Sequence, residues 1–291
     1  MATATQWLSA SRPRTLPAAV APVLVGCGAG FAVGHFIWWK GLLALIVSLA
    51  LQIGVNFAND YSDGIRGTDA IRVGPMRLVG SGAARPQLVK YAAFACFGVA
   101  GIAGVVLAAT TTWWLVPFGV AAVAAAWFYT GGPKPYGYAG FGEIFVFVFF
   151  GLLAVMGTMY VNSRHITPTT VAAAVGVGLL ACALLMVNNL RDVATDAVSG
   201  KRTLAVLLGD RLARHVLALT IGGAYLAVLV IGVRHPWALL GLLSAPLAVA
   251  PLKQVLGGDK GPALIRSLGA IGRLEFVYAV LVTAGLVLGR A

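Results

Sequence analysis

The chain has 291 residues, of which 59% are apolar and only 10% charged, with 21 Lys+Arg against 9 Asp+Glu and a formal net charge of +12. About 25% charged residues is usual for a water-soluble globular chain, so this composition excludes an ordinary soluble enzyme, a secreted disulfide scaffold and a disordered chain. The positive charge does not point to nucleic acid, because the bases are spread between apolar blocks rather than gathered in a stripe.

The N-terminal stretch Met1–Pro17 lacks a short apolar core followed by a small-residue cleavage site, and reads as having no removable leader. From there, nine blocks are long and apolar enough to predict membrane spans: about 16–35, 41–58, 89–109, 113–129, 142–162, 168–188, 212–233, 236–256 and 271–289. Trp38, Trp39, Trp113, Trp114 and Trp237 sit at block ends as interface anchors. Gly and Ala enrich the blocks, which lets helices approach closely. Cys27, Cys96 and Cys182 are isolated inside apolar stretches and read as packing residues. His35, His165, His215 and His235 are scattered and suggest no site. No segment between blocks is long enough for a soluble domain. The expected architecture is a single all-α polytopic domain over 1–291, nine helices around a central cavity that opens toward the cytoplasm.

Nine spans put the termini on opposite faces. With a cytoplasmic N-terminus, all Lys and Arg except Lys40, Arg164, Arg234 and Arg290 fall in cytoplasmic segments, as the positive-inside rule requires. The expected setting is the plasma membrane, with the N-terminus and the polar loops cytoplasmic. The acids share that face, and five of the nine lie in two segments, NFANDYSDGIRGTD (56–69) and NNLRDVATDAVSGKRTLAV (188–206).

Both segments begin Asn-x-x-x-Asp, at Asn56–Asp60 and Asn188–Asp192. Helical spacing puts Asn56, Asp60 and Asp63 on one face of the second span and Asn188, Asp192 and Asp196 on one face of the sixth. Opposed across a cavity, four carboxylates would repel unless a hard divalent cation such as Mg²⁺ joined them. Arg66, Arg72 and Arg77 follow the first cluster, Lys201 and Arg202 the second, and Lys134 lies between spans four and five. Acids that hold a metal, ringed by phosphate-binding bases, describe a diphosphate site. Asp69 reads either as a further member or as a cap. Asp210, Asp259 and Glu275 read as solvated loop or cap residues.

With these motifs in place, the chain resembles the UbiA superfamily of intramembrane aromatic prenyltransferases over nearly its whole length. NDYSDGIRGTD (59–69), RVGPMRLV (72–79), YTGGPKPYGYAGFGE (129–143) and NNLRDVATDAVSGKRTLAVLLG (188–209) resemble its menaquinone-pathway branch. The resemblance implies that Mg²⁺ at Asn56, Asp60, Asp63, Asp192 and Asp196 binds an allylic polyprenyl diphosphate. Asn188, Asp69 and the bases Arg66, Arg72, Arg77, Lys134, Lys201 and Arg202 would contact diphosphate or substrate. The acceptor it implies is 1,4-dihydroxy-2-naphthoate, prenylated with release of diphosphate and CO₂ to give demethylmenaquinone. It implies no nucleic acid or protein partner. Asp60, Asp192, Tyr129 and Glu143 are the catalytic candidates, with Glu143 either a proton-transfer group or a helix cap. The sequence departs from the broader superfamily pattern at Gly67, where a third acid would stand. Rival readings are a prenyltransferase using p-hydroxybenzoate or homogentisate, a transporter, and a structural membrane subunit. One-sided placement of the polar residues disfavours transport.

Overall fold

The computed structural model describes residues 2–68 and 76–290. Asp69 and Arg72 lie outside them. Among the described residues the regular structure is entirely helical. In chain order the helices are α1 (Ala4–Ala10), α2 (Pro17–Ala32), α3 (Trp38–Arg66), α4 (Pro86–Thr110), α5 (Leu115–Phe128), α6 (Gly142–Ser163), α7 (Pro168–Val198), α8 (Leu204–Gly232), α9 (Pro246–Leu256) and α10 (Leu264–Leu288). Six helices are long and apolar enough to cross a membrane. The count reaches eight if two bent pairs each span once: residues 4–15 with α2, bent by 52°, and Pro236–Ser244 with α9, bent by 44°. The fourth expected span corresponds to α5, a shorter apolar helix.

Both motif-bearing helices run past their apolar blocks. α3 continues to Arg66 and α7 to Val198, so each Asn/Asp motif is the last few turns of one long helix. α3 stops at Gly67, whose φ of 72° and ψ of 8° form a left-handed C-terminal cap. Gly adopts that conformation without the steric cost that a Cβ carries. Small residues allow the closest crossings. A Cβ on Gly151 of α6 would stand 2.6 Å from the Cα of Gly178 of α7. Nearby, residues Phe147–Leu153 widen into a π-helical stretch within α6.

Packing among the described residues gathers into three apolar clusters. A large core joins α2 with α6 to α10, and α7 is its most enclosed helix. A smaller core joins α1, α3 and α4 with Leu78. α5 packs on α3 and α4. A third cluster, Val23, Ala44, Leu107 and Val161, joins α2, α3, α4 and α6, and a cavity of about 1130 Å³ is lined by residues of all three.

One expectation is overturned. Glu275 was assigned to a solvated loop or cap, but α10 begins at Leu264, so Glu275 lies three turns into the helix and is fully buried. Asp210 does serve structure: its carboxylate accepts from Arg214 at 2.7 and 2.9 Å, and Arg214 also donates to the main-chain oxygens of Val255 and Asp259.

Candidate active site

The cavity has a polar end and a long apolar body. Asn56 and Asn59 of α3, Arg77 of the following loop, and Asn188 and Arg191 of α7 line its polar end. Its body extends past Leu51 and Val47 to Ala44, Leu107 and Val161. Along α3, from Asn59 to Ala44, that is about 22 Å at the helical rise. On one side the wall is α5, with Phe118 and Val123; on the other it is α6, with Phe145, Phe149 and Leu153. Just inside the polar end, Tyr136 stacks on Phe145 at 3.9 Å between ring centroids, and Tyr129 meets Tyr136 edge-on at 5.5 Å.

None of the four motif carboxylates lines the cavity itself; each is buried and engaged by a protein donor, Asp63 and Asp192 by the lining Arg77 and Arg191. Asp60 accepts from the backbone amides of Leu78 (2.8 Å) and Val79 (3.0 Å). Asp63 accepts from the Tyr138 hydroxyl at 2.7 Å and pairs with Arg77 at 3.5 Å. Asp192 takes a bidentate bond from its neighbour Arg191, at 2.6 and 2.7 Å. Asp196 pairs with Lys201 at 3.7 Å. Among the described residues, no three His, Cys, Asp or Glu side chains converge closely enough to hold a metal ion.

Tyr138 connects the two clusters, and sequence reasoning did not single it out. Its hydroxyl reaches Asp63 at the end of α3, and its carbonyl accepts from the Arg202 amide at 3.0 Å beyond the end of α7. Arg66 and Lys201, one from each motif, stand over its ring at 5.4 and 5.3 Å. Burial, and next the Asp63 charge, push the phenol above its usual range, so it remains a donor at neutral pH. The motif YTGGPKPYGY held the signal: an aromatic-rich loop between two acidic segments.

The remaining candidates separate. Asn56 lines the cavity while its amide donates to the Ser11 carbonyl at 2.9 Å. Asn188 also lines it. Arg66 donates to the carbonyls of Thr130 and Gly132 and so braces the loop after α5. Lys134 and the Arg202 side chain are exposed. Tyr129 lines the cavity. Glu143, in the first turn of α6, accepts from Asn189 of α7 at 2.9 Å. Asn59, Asn189 and Arg191 were missed as site residues. Asn59 accepts from Thr130 at 2.7 Å, again tying α3 to the central loop.

A helical bundle with apolar spans, an apolar cavity and acid–base pairs concentrated at one end has the layout of an intramembrane enzyme for a lipid-like substrate. The chain belongs to the UbiA prenyltransferase family, whose model matches residues 19–264. It is 48% identical over 290 residues to a 1,4-dihydroxy-2-naphthoate octaprenyltransferase from Mycobacterium tuberculosis, covering 100% of this chain and 99% of the relative. It is 38% identical over 260 residues to the Escherichia coli protein of the same name, covering 86% and 84%. In fold it matches a UbiA homolog from Archaeoglobus fulgidus solved with GPP and Mg²⁺, at a TM-score of 0.64 and 15% identity over 96% of this chain and 99% of that one. A homolog from Aeropyrum pernix gives a TM-score of 0.70 at 14% identity over 93% and 97%.

Proposed function

We propose that this protein transfers a polyprenyl group from an allylic polyprenyl diphosphate to 1,4-dihydroxy-2-naphthoate, with loss of diphosphate and CO₂, as a step of menaquinone biosynthesis. The observation that carries this reading is that one long apolar cavity ends on Asn56, Asn188, Arg77 and Arg191, the two arginines being paired with the motif acids Asp63 and Asp192. The names of the relatives at 48% and 38% identity support the acceptor. The base asymmetry supports a single domain of nine spans in the plasma membrane, with its polar end cytoplasmic.

The donor set fits a hard divalent cation. It comprises carboxylates and amide oxygens, and the free cysteines lie within the apolar helices. Asp60, Asp63, Asp192 and Asp196, with Asn56, would hold Mg²⁺, whose charge would neutralise the diphosphate leaving group. Arg77 and Arg191, buried and facing the cavity, bind phosphate oxygens. Lys201 adds charge at the same end. Tyr138 orients Asp63 and links the two helix ends. The prenyl tail lies in the apolar body between α5 and α6. The allylic C–O bond breaks with its electron pair going to the diphosphate. The rings of Tyr129, Tyr136 and Phe145 present π faces where the allylic cation forms, and the apolar walls keep water from quenching it. The electron-rich ring of the acceptor forms the new C–C bond. The carboxylate departs as CO₂ and leaves its bonding pair in the ring, so no net proton is exchanged and the product is the quinol form of demethylmenaquinone.

The test is an assay of purified protein in lipid with Mg²⁺, an allylic diphosphate and a panel of aromatic acceptors. Prenylation of 1,4-dihydroxy-2-naphthoate with one CO₂ released per product is expected. Prenylation of p-hydroxybenzoate or homogentisate instead would assign the protein to another branch of the family.

A further inference from the structure

Arg12 differs from Arg77 and Arg191, the acid-paired arginines at the polar end. It takes φ 55°, ψ 68°, in the left-handed region that a residue with a Cβ adopts only under constraint. The constraint comes from α3. Asn56 donates to the Ser11 carbonyl at 2.9 Å, and Gln52 donates to the Thr15 hydroxyl at 3.0 Å. Thr15 in turn donates to the Arg12 carbonyl through its amide at 2.9 Å and its hydroxyl at 3.0 Å. Two cavity-facing side chains of the motif helix thus hold the short turn after α1 in a strained conformation.

That conformation turns Arg12 toward the cavity, which it lines beside Ser9 and Asn56. Its Nη2 is buried and has no hydrogen-bond partner among the described residues. Leaving a guanidinium nitrogen both desolvated and unbonded is costly. Arg77 and Arg191, the buried guanidiniums that also face the cavity, are each paired with a motif carboxylate, Asp63 and Asp192. Those two arginines belong to the acid-rich side, where the diphosphate goes. Among the described residues no ion pair is found for Arg12, which lines the cavity with Ala10 and Leu268.

We propose that Arg12 binds the carboxylate of the aromatic acceptor and thereby selects acceptors that carry one. This rests on the prenyl-transfer reading above and assigns a part of the same site. A guanidinium fork matches a carboxylate through two parallel hydrogen bonds. The held backbone at Arg12 sets the direction in which its side chain leaves the turn before the acceptor arrives, and so lowers the cost of ordering it. The carboxylate lost in the reaction is then the group by which the acceptor is held, with its ring presented to the prenyl end.

The test uses full-length protein in lipid with Arg12→Gln and Arg12→Gly. In both, KM for 1,4-dihydroxy-2-naphthoate should rise about 10- to 100-fold, the range for losing a charge-assisted pair, while KM for the allylic diphosphate stays within about two-fold. Inhibition by 1,4-dihydroxynaphthalene, which lacks the carboxylate, should be unchanged by either substitution. Arg12→Gly removes the left-handed strain, so its melting temperature should not fall. An acceptor KM within about two-fold of the parent overturns the proposal. So does a diphosphate KM that rises as much as the acceptor KM, which would assign Arg12 to phosphate. If the unsubstituted protein prenylates no carboxylated naphthalene, the underlying reaction is at fault; if it does so and Arg12→Gln binds acceptor normally, only the role of Arg12 fails.

Discussion

The ends of α3 and α7 carry the same Asn-x-x-x-Asp spacing but use it differently. On α3 the acids reach far along the chain. Asp60 holds two backbone amides of the loop at 78–79, and Asp63 binds Tyr138, 75 residues away. On α7 the pairs found among the described residues are local, Asp192 with the adjacent Arg191 and Asp196 with Lys201. The first end therefore builds the roof of the site and also supplies charge to it. The second mainly supplies charge. Equal motifs in a sequence need not carry equal structural duty, because the neighbouring loops decide which donors arrive.

The largest expected effect follows from that contrast. Asp60→Ala removes both acceptors from the Leu78 and Val79 amides, and each buried amide left unbonded costs about 1–3 kcal/mol. Turnover should fall at least about 100-fold, and amide exchange at 78–79 should accelerate. Protection that persists there would break the assignment of Asp60 as the holder of that loop. Asp196→Asn should lower turnover about 10- to 100-fold, since a charge is lost beside the leaving group, with exchange at 78–79 unchanged. Faster exchange at 78–79 in that variant would erase the distinction between the two ends. Tyr138→Phe keeps the ring between Arg66 and Lys201 but removes the bond to Asp63. A hydrogen bond to a charged group is worth about 1.5–3 kcal/mol, so turnover should drop about 10-fold, and by the same factor at pH 7 and pH 9 because the phenol is held above its usual range. A loss confined to pH 9 would contradict its role as a donor. The smallest effect is expected for Lys134→Ala. That side chain is exposed on the loop, and turnover should stay within about two-fold.

Much of this was legible in the sequence because apolar block length and helical spacing are local properties. The long helices and the helical placement of both motifs followed from them. The boundaries did not: hydropathy stops where the motif begins, although the helix continues, so α3 and α7 are longer than their apolar blocks and Glu275 lies deeper than its block suggested. The partners did not either. Tyr138 with Asp63, Asn189 with Glu143, and the turn that aims Arg12 each depend on a loop folding back onto a distant helix, and no spacing encodes that. Arg191 was hidden for another reason. In sequence it counts as one more cytoplasmic base, and only its burial beside Asp192 sets it apart.

The central claim is that both helix ends serve one metal-assisted diphosphate site. The most direct measurement is turnover against free Mg²⁺ for the unsubstituted protein, Asp63→Asn and Asp196→Asn. The account predicts that EDTA abolishes activity in all three and that each substitution raises the half-saturating Mg²⁺ concentration several-fold. Activity that survives EDTA, or a half-saturation unchanged by one of the two substitutions, would contradict it.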